Sequence, residues 1–121
     1  MRALTWALVL LALLIVALDA AAARQGSRQL WGAIAYSSKT GSFGYAVDKR
    51  TKRDAETEAF SHCGSSCDLI RTFRDACGAV AAKPNHVSSD TGASREIAEM
   101  KVLKKCGGGC TVKVWACTSE K

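Results

Sequence analysis

The stretches Cys63–Cys67 (CGSSC) and Cys106–Cys110 (CGGGC) decide the fold of this chain, because the second repeats the first forty-three positions later. Each is followed by a run rich in β-forming residues that ends in a third cysteine, Cys77 or Cys117. The preceding residues match as well: GAIA at 32–35 corresponds to GAVA at 78–81, and AE at 55–56 corresponds to AE at 98–99. Such a repeat indicates two copies of one supersecondary unit, which we place at about 30–77 and about 78–117.

The repeating unit has the pattern strand, strand, helix, strand. Residues 30–47 hold two β-rich runs separated by the turn residues Ser38–Gly41, which is typical of a hairpin. A helix is predicted over about 52–62, and Gly64 follows at the place where a helix commonly ends. Residues 69–73 then complete the unit as a short strand.

Each helix is expected to turn an apolar face towards the core. This face comprises Ala55, Ala59, Phe60 and Cys63 in the first helix and Ile97, Met100, Val102 and Leu103 in the second. Ser94 is predicted to be the N-cap of the second helix. Residues 83–93 consist mostly of turn-forming types, so we interpret them as a loop with at most a short edge strand. Whether a second hairpin forms there is left open.

These elements predict the α+β class. Neither copy could bury its helix stripe and its sheet face alone, so the two copies are expected to share one core. We expect one mainly antiparallel sheet of five or six strands, with both helices on the same face and disulfides stapling the unit. The folded part is predicted to be a single domain at 30–117.

The N-terminal segment has the order of a secretory signal peptide. A positive start at Arg2 precedes an apolar run at 3–18, and small alanines follow at 20–23. The apolar run is shorter than the ~20 residues that a membrane-spanning helix needs. We therefore predict a signal peptide at 1–23, a disordered N-terminus at 24–29, no membrane span after cleavage, and a secreted or periplasmic location.

All six cysteines follow this segment, and an even number in an exported chain indicates three disulfides. Symmetry and local geometry favour the pairs Cys63–Cys67, Cys106–Cys110 and Cys77–Cys117. A zinc site of four thiolates and a redox-active pair are the alternatives, but both normally use the spacing C-x2-C. No metal and no cofactor are predicted.

The chain carries a formal net charge of +6, with one basic cluster at 49–53. A well-solvated surface explains this charge, and attraction to a polyanion is the more specific interpretation. No motif of a nucleic-acid-binding module is present, so nucleic acid is not expected as a partner. The aromatic and basic residues that could form an exposed contact surface are Trp31, Tyr36, Tyr45, Arg71, Arg74, Lys113 and Trp115.

Residues suited to catalysis are few. Glu56 and Glu99 occupy equivalent places in the two copies, so a pair of carboxylates is conceivable, although helix surfaces commonly carry such residues. His62 and His86 could act beside a nucleophilic cysteine only if a thiol were free. We predict no catalytic residue and favour a protein that is not an enzyme.

Several motifs together resemble a known family. They are WGAIAYS at 31–37, FGY at 43–45, CG at 63–64, CGAVA at 77–81, CG at 106–107 and the strand with Trp115. This set resembles the domain-of-unknown-function 4189 family over essentially the whole of 30–117, although that family typically has a Gly- and aromatic-rich strand where this chain has 83–93. The resemblance implies an exported bacterial protein or accessory domain, and it supplies no catalytic residues.

The function we expect is that of a binding or accessory module for a protein or an envelope polyanion. The alternative is a small secreted hydrolase, or another enzyme, that uses helix carboxylates or a residual thiol. The partner and the oligomeric state are not specified by the sequence.

Overall fold

The computed structural model describes residues 29–119. The predicted signal peptide at 1–23 and all but the last residue of the segment 24–29 lie outside this range. Within it, the elements follow in the order β1 (Trp31–Tyr36), β2 (Phe43–Lys49), α1 (Lys52–Cys63), β3 (Leu69–Arg74), β4 (Cys77–Lys83), β5 (His86–Gly92), α2 (Arg95–Cys106) and β6 (Thr111–Cys117). The α+β class and the repeated strand–strand–helix–strand unit are confirmed.

The strands form two separate three-stranded sheets, one for each copy of the unit. The first sheet has the order β2-β1-β3 and the second the order β5-β4-β6, and every pairing is antiparallel. The first strand of each copy is therefore the central strand of its sheet. Between the sheets, β1 contacts β4, β1 and β2 contact β6, and β3 contacts β4 and β5, which is the pattern of a pseudo-twofold arrangement.

The two central strands are buried on both faces, and this produces four layers. In β1, Ala33 and Ala35 pack against α1, whereas Ile34 belongs to the cluster between the two sheets. In β4, Ala79 packs against α2, whereas Val80 points into the same cluster between the sheets. The layers are thus α1, the first sheet, the second sheet and α2.

This layering differs from the expected single sheet with both helices on one face. The uninterrupted apolar runs at 32–36 and 78–82 are typical of strands that need cover on both faces. A helix can cover only one of these faces, so the other faces of the two sheets cover each other. The helices consequently lie on opposite sides of the molecule and do not contact each other.

The helix faces agree with expectation only in part: the expected residues Ala55, Ala59, Cys63 and Val102 meet the sheets, but the larger apolar residues do not. The buried helix residues are Ala55, Ala59 and Cys63 in α1 and Ala98, Val102 and Cys106 in α2. Their spacing of four keeps them on one stripe, as expected for an amphipathic helix. The larger residues Phe60, Ile97, Met100 and Leu103 are exposed.

Residues 83–93 form more regular structure than the turn-rich sequence indicates. β5 is a seven-residue strand paired with β4 along its length, from Lys83 opposite His86 to Cys77 opposite Gly92. Two residues, Pro84 and Asn85, connect the strands, and Asn85 has a φ of 65°. A fixed proline φ followed by an asparagine with positive φ is the chemistry of a tight turn. The second hairpin therefore forms.

One aromatic ring explains the glycine in each repeated motif. Phe73, on β3, is buried between the sheets. A Cβ atom on Gly32 would lie 2.3 Å from its Cε2, and a Cβ atom on Gly78 would lie 2.6 Å from its Cδ1. The two glycines occupy equivalent positions in β1 and β4, so the ring lies where both central strands lack side chains.

The three predicted disulfides are present. Cys63–Cys67 and Cys106–Cys110 join the end of each helix to the segment that leads into the next strand, with Cα–Cα distances of 6.2 and 6.3 Å. Cys77 and Cys117 lie directly opposite each other on β4 and β6, with their Cα atoms 4.0 Å apart. Each disulfide therefore connects neighbouring elements, and the third lies within the second sheet because Cys77, expected at the end of the first copy, is the first residue of β4.

Hydroxyl side chains begin both helices. The Thr51 hydroxyl accepts a hydrogen bond from the Asp54 N–H at 3.1 Å. The predicted N-cap Ser94 does the same for the Ile97 N–H at 3.2 Å. Each cap satisfies an N–H group that the first helical turn leaves without a backbone partner.

Candidate functional site

A groove runs between β2 and β6, which are edge strands of different sheets. In β2, Gly44 and Ala46 are buried on the side of α1. The alternate residues Phe43, Tyr45 and Val47 line the groove. Phe43 is 46% exposed and Tyr45 is 50% exposed, so the wall formed by β2 carries an open row of apolar side chains.

The opposite wall of the groove is β6, which contributes Lys113 and Trp115. The Arg95 guanidinium from α2 lies 4.0 Å from the centroid of the Trp115 ring, in a cation–π contact. The same guanidinium donates to Glu99 Oε1 through its Nε at 2.8 Å. These two contacts hold the Arg95 guanidinium in place. The groove between β2 and β6 has a volume of about 420 Å³.

Lys113 connects this groove to a second cleft. The pairing of β4 with β6 shifts between Val80 and Ala81, so Lys113 lies in a bulge of an edge strand. The second cleft has a volume of about 670 Å³ and is lined among others by Tyr36, Ser38, Lys83, His86 and Lys113. An aromatic groove and a more polar, basic cleft thus adjoin at one lysine.

The structure brings together three of the residues that were expected to form a contact surface, namely Tyr45, Lys113 and Trp115. Two others, Trp31 and Arg74, form a separate pair at the start of β1, where the guanidinium lies 5.6 Å from the ring centroid. The expected single surface is therefore divided between two places.

Arg71 lies at the equivalent edge between β3 and β5 and has a different role. Its Nε donates to the Ser89 hydroxyl at 2.9 Å and its Nη2 to the Ser89 carbonyl at 3.1 Å. Lys105 donates to the same carbonyl at 3.1 Å. Ser89 occupies the position in β5 that Tyr45 occupies in β2, since each lies opposite the central residue of the inner strand. Polar contacts close this edge beside Ser89, whereas the edge beside Tyr45 is open, and the hydrogen bonds from Ser119 to Asp48 bridge β2 to the segment after β6 only near the end of β2.

Tyr36 is the remaining member of the expected surface, and it is buried at 4% exposure between the sheets. Conversely, Phe43 and Val47 line the groove although they were not assigned to a site, and Arg95 stacks on the Trp115 ring without lining the groove. The alternation of Phe43, Tyr45 and Val47 along one strand could have identified Phe43 and Val47, because it places them on the same face as Tyr45. No sequence pattern indicated that Arg95 would stack on a tryptophan from another element.

The residues considered for catalysis are not assembled. Glu56 pairs with Lys52 of its own helix at 3.9 Å, and Glu99 pairs with Arg95. The two glutamates lie on helices that do not contact each other. His62 Nε2 lies 3.9 Å from a carboxylate oxygen of Glu58, and all six cysteines are in disulfides. A thiolate metal site or a thiol nucleophile would require these bonds to be reduced.

Two carboxyl groups have shifted pKa values, and both take part in local structure. Hydrogen bonds from the Ser38 hydroxyl and backbone N–H hold the pKa of Asp68 below its ordinary value. Desolvation raises the pKa of Asp90, but the Thr91 N–H and the neighbouring charges of Lys101 and Lys105 outweigh it, so the net shift is downward. Neither carboxyl lines the groove.

Residues 29–119 contain neither a cluster of potential metal ligands nor a helix suited to span a membrane. No group of three or more His, Cys, Asp or Glu side chains in this range is arranged to hold a metal ion. No helix in the same range has the length and apolar character needed to cross a membrane. The groove between β2 and β6 is therefore the feature of the described chain that we take as the candidate site.

The fold and the groove define a class: a small, duplicated, disulfide-bonded α+β domain with an open aromatic edge. The family described as domain of unknown function (DUF4189) matches residues 31–117. The chain belongs to this family.

Mycobacterial proteins are among its relatives. Protein Rv1269c of Mycobacterium tuberculosis (strain ATCC 25618 / H37Rv) and protein Mb1300c of Mycobacterium bovis are each 40% identical to it over 89 residues, which is 73% of this chain and 69% of the relative. The NMR structure of Rv1813c from Mycobacterium tuberculosis is similar with a TM-score of 0.62 and 35% identity, covering 73% of this chain and 74% of that one. These names state no activity, so a function has to be argued from the groove.

Proposed function

We propose that this protein is an exported, non-enzymatic binding module that holds an extended acidic segment of an envelope or secreted protein in the groove between β2 and β6. The observation that carries the proposal is the row Phe43, Tyr45 and Val47 beside Lys113, at a sheet edge that lacks, beside Tyr45, the polar contacts that close the equivalent edge.

The aromatic row supports a binding role because large apolar side chains are costly to leave in water. Phe43, Tyr45 and Trp115 are each at least 40% exposed and lie around a single groove. Aromatic residues of this kind are common anchors of protein interfaces. Isolated exposed apolar residues need no explanation, but a contiguous group marks an interaction surface.

An extended polypeptide suits the groove because β2 is an edge strand. The outer edge of such a strand can pair with an incoming strand, whose alternate side chains then enter neighbouring pockets. At the equivalent edge, Arg71 and Lys105 occupy the Ser89 carbonyl and oppose such an addition. The open edge and the aromatic row therefore lie together on only one side of the described molecule.

Charge supports an acidic partner. The chain has a formal net charge of +6, Lys113 lies between the groove and the larger cleft, and Lys83 and His86 line that cleft. Complementary charge raises the rate of association and the preference for acidic over basic partners.

Export is supported by the signal-like sequence at 1–23 and by three disulfides, which persist in oxidising compartments.

The test is a titration of the oxidised protein, purified from an exporting host, with a synthetic peptide that alternates Glu and Val. Tryptophan fluorescence reports binding, and a Lys–Val peptide of equal length is the negative control. We expect Tyr45→Ala and Lys113→Glu each to weaken binding of the Glu–Val peptide by about tenfold or more, because they remove an anchor and reverse a groove charge.

The first helix supplies matched control variants. Phe60→Ala removes a partly exposed aromatic from α1, and Arg53→Glu makes the same charge change as Lys113→Glu at another exposed position. Both should leave binding unchanged. Equal losses in Arg53→Glu and Lys113→Glu would mean that the whole surface attracts polyanions, and tight binding of the Lys–Val peptide would contradict an acidic partner.

A further inference from the structure

The outer face of α2 carries an apolar stripe that is most open at its centre. Ile97, Met100 and Leu103 follow each other at a spacing of three. Met100 is 63% exposed, whereas Ile97 and Leu103 are 40% and 39% exposed, and Ile97 lies beside Gly92 of β5. The stripe lies away from Ala98 and Val102, which pack on the second sheet. It is therefore a second apolar surface, distinct from the groove between β2 and β6.

Comparison of the two copies shows that the fold does not require this stripe. Forty-three residues earlier, α1 has Asp54, Thr57 and Phe60 at the positions of Ile97, Met100 and Leu103. The core-facing residues of α1 and α2 keep their small or apolar character in both copies, so the two helices pack alike. Phe60 and Leu103 are apolar in both copies, but the apolar residues Ile97 and Met100 are features of the second copy alone, so the shared fold does not require the complete stripe.

Charged residues flank the stripe with opposite signs at its two ends. Glu96 lies four residues before Met100 and Lys104 lies four residues after it, and both are exposed. Four residues are about one helical turn, so both charges lie beside Met100 on the same side of the helix. An antiparallel copy of α2 would bring the acidic end of each helix next to the basic end of the other. The stripe is in this sense complementary to itself.

We propose that α2 is a self-association surface, on which two copies of this protein pack their α2 helices antiparallel about a twofold axis near Met100. In such an isologous interface each contact occurs twice, so Ile97 of one copy approaches Leu103 of the other and Met100 lies near its own counterpart. The inference is independent of the proposed function, because α2 presents this stripe away from the sheet that it covers.

The size of the stripe sets the strength of the dimer. Stable interfaces bury about 1,200–2,000 Å² in total. Three apolar side chains and two flanking charges on a twelve-residue helix cover less than this. We therefore expect a weak dimer that forms at micromolar to millimolar protein concentration rather than an obligate one.

The experiment is sedimentation velocity of the oxidised protein over a series of concentrations. Met100→Glu should raise the dissociation constant of the dimer about tenfold or more, because it places two like charges at the axis. Thr57→Glu, the same change at the equivalent exposed position of α1, should leave it unchanged. Circular dichroism and intact mass show whether each variant keeps its helices and disulfides.

A charge exchange tests the antiparallel arrangement. Glu96→Lys and Lys104→Glu should each weaken the dimer about tenfold at low salt, because each replaces two attractions with two repulsions. The double variant should restore the wild-type constant to within about twofold.

Three outcomes would overturn the proposal. The first is a wild-type protein that stays monomeric at millimolar concentration. The second is a double charge variant weaker than either single one. The third is a monomeric wild type that binds vesicles of anionic phospholipid through Met100, since the stripe would then contact lipid. In contrast, Tyr45→Ala should leave self-association unchanged, so failure of the groove proposal and failure of this one are distinguishable.

Discussion

Replacing Gly32 by alanine is expected to destabilise the protein through a contact with one aromatic ring. The new Cβ atom would lie 2.3 Å from Phe73 Cε2 and 2.6 Å from its Cζ, closer than carbon atoms can approach. Overpacking of this kind costs about 1–3 kcal/mol. Alanine recovers about 0.5–1 kcal/mol of the backbone entropy that glycine loses in a strand. The net loss in the free energy of unfolding is therefore between about 0 and 2.5 kcal/mol, with a central value of about 1 kcal/mol.

The same reasoning applies to Gly78, whose added Cβ atom would lie 2.6 Å from Phe73 Cδ1 on the other side of the ring. For a domain of this size, 1 kcal/mol corresponds to a change in melting temperature of about 4–8 °C. For the central loss of about 1 kcal/mol, each alanine variant should thus melt about 4–8 °C below the wild type. Urea denaturation followed by far-UV circular dichroism measures the loss directly, provided that the slope of the transition is unchanged.

A double-mutant cycle isolates the role of the ring. Phe73→Leu removes the ring atoms nearest to Gly32, so Gly32→Ala should cost almost nothing in that background, with a coupling energy of about 1–2 kcal/mol. Gly44→Ala is the matched control, because its Cβ atom would meet backbone atoms of α1, the carbonyl oxygen of Ala59 at 2.3 Å among them. Phe73→Leu cannot relieve that contact. Additive effects of Gly32→Ala and Phe73→Leu would refute this explanation of the repeated glycine.

Three further variants test other features of the fold. Alanine at both Cys77 and Cys117 should lower the free energy of unfolding by about 4 kcal/mol in the chain-entropy model, whereas removal of either short disulfide should lower it by about 2 kcal/mol. Urea titrations of the two kinds of variant measure these losses, and equal losses would contradict the dependence on loop length. Asp68→Asn should flatten the acid side of the stability profile: the folded pKa lies below the unfolded value of 3.8, so the stability from this carboxylate is present above that value and is lost as pH falls through the folded pKa. Chemical denaturation at several pH values measures this dependence. If the free energy of unfolding falls as steeply below about pH 4 in the variant as in the wild type, the Ser38 hydrogen bonds do not stabilise the fold. Ser94→Ala should cost about 1 kcal/mol through the lost N-cap, and Ser94→Asp should recover most of it.

Local features were predictable because short-range chemistry fixes them. The Ser94 cap, the end of α1 before Gly64 and the two short disulfides each depend on residues within a few positions of one another. The long disulfide between Cys77 and Cys117 was predicted correctly, but it does not follow the symmetry of the repeat, because it joins β4 to β6 within one sheet and the first sheet has Trp31 opposite Arg74 there. Residues 83–93 were harder to interpret, because two turn residues and a polar strand have nearly the same composition as a loop.

The candidate site was only partly predictable. Tyr45, Lys113 and Trp115 were identified by their type and by their place in strands, and the structure gathers them at one groove. Tyr36 has the same chemistry but is buried, because it lies on the central strand between two sheets. Alternation along a strand tells which residues share a face, but it does not tell what covers that face.

The sequence by itself determined the repeated unit, its α+β class and the covalent connections, since these depend on spacing along the chain. The tertiary structure decided that there are two stacked sheets and that the helices lie on opposite sides of them. The physical reason lies in β1 and β4, whose faces are both apolar and which need a helix on one side and a sheet on the other. That stacking buried Phe73 and Tyr36, and it left the row beside Tyr45 and the stripe around Met100 exposed to solvent.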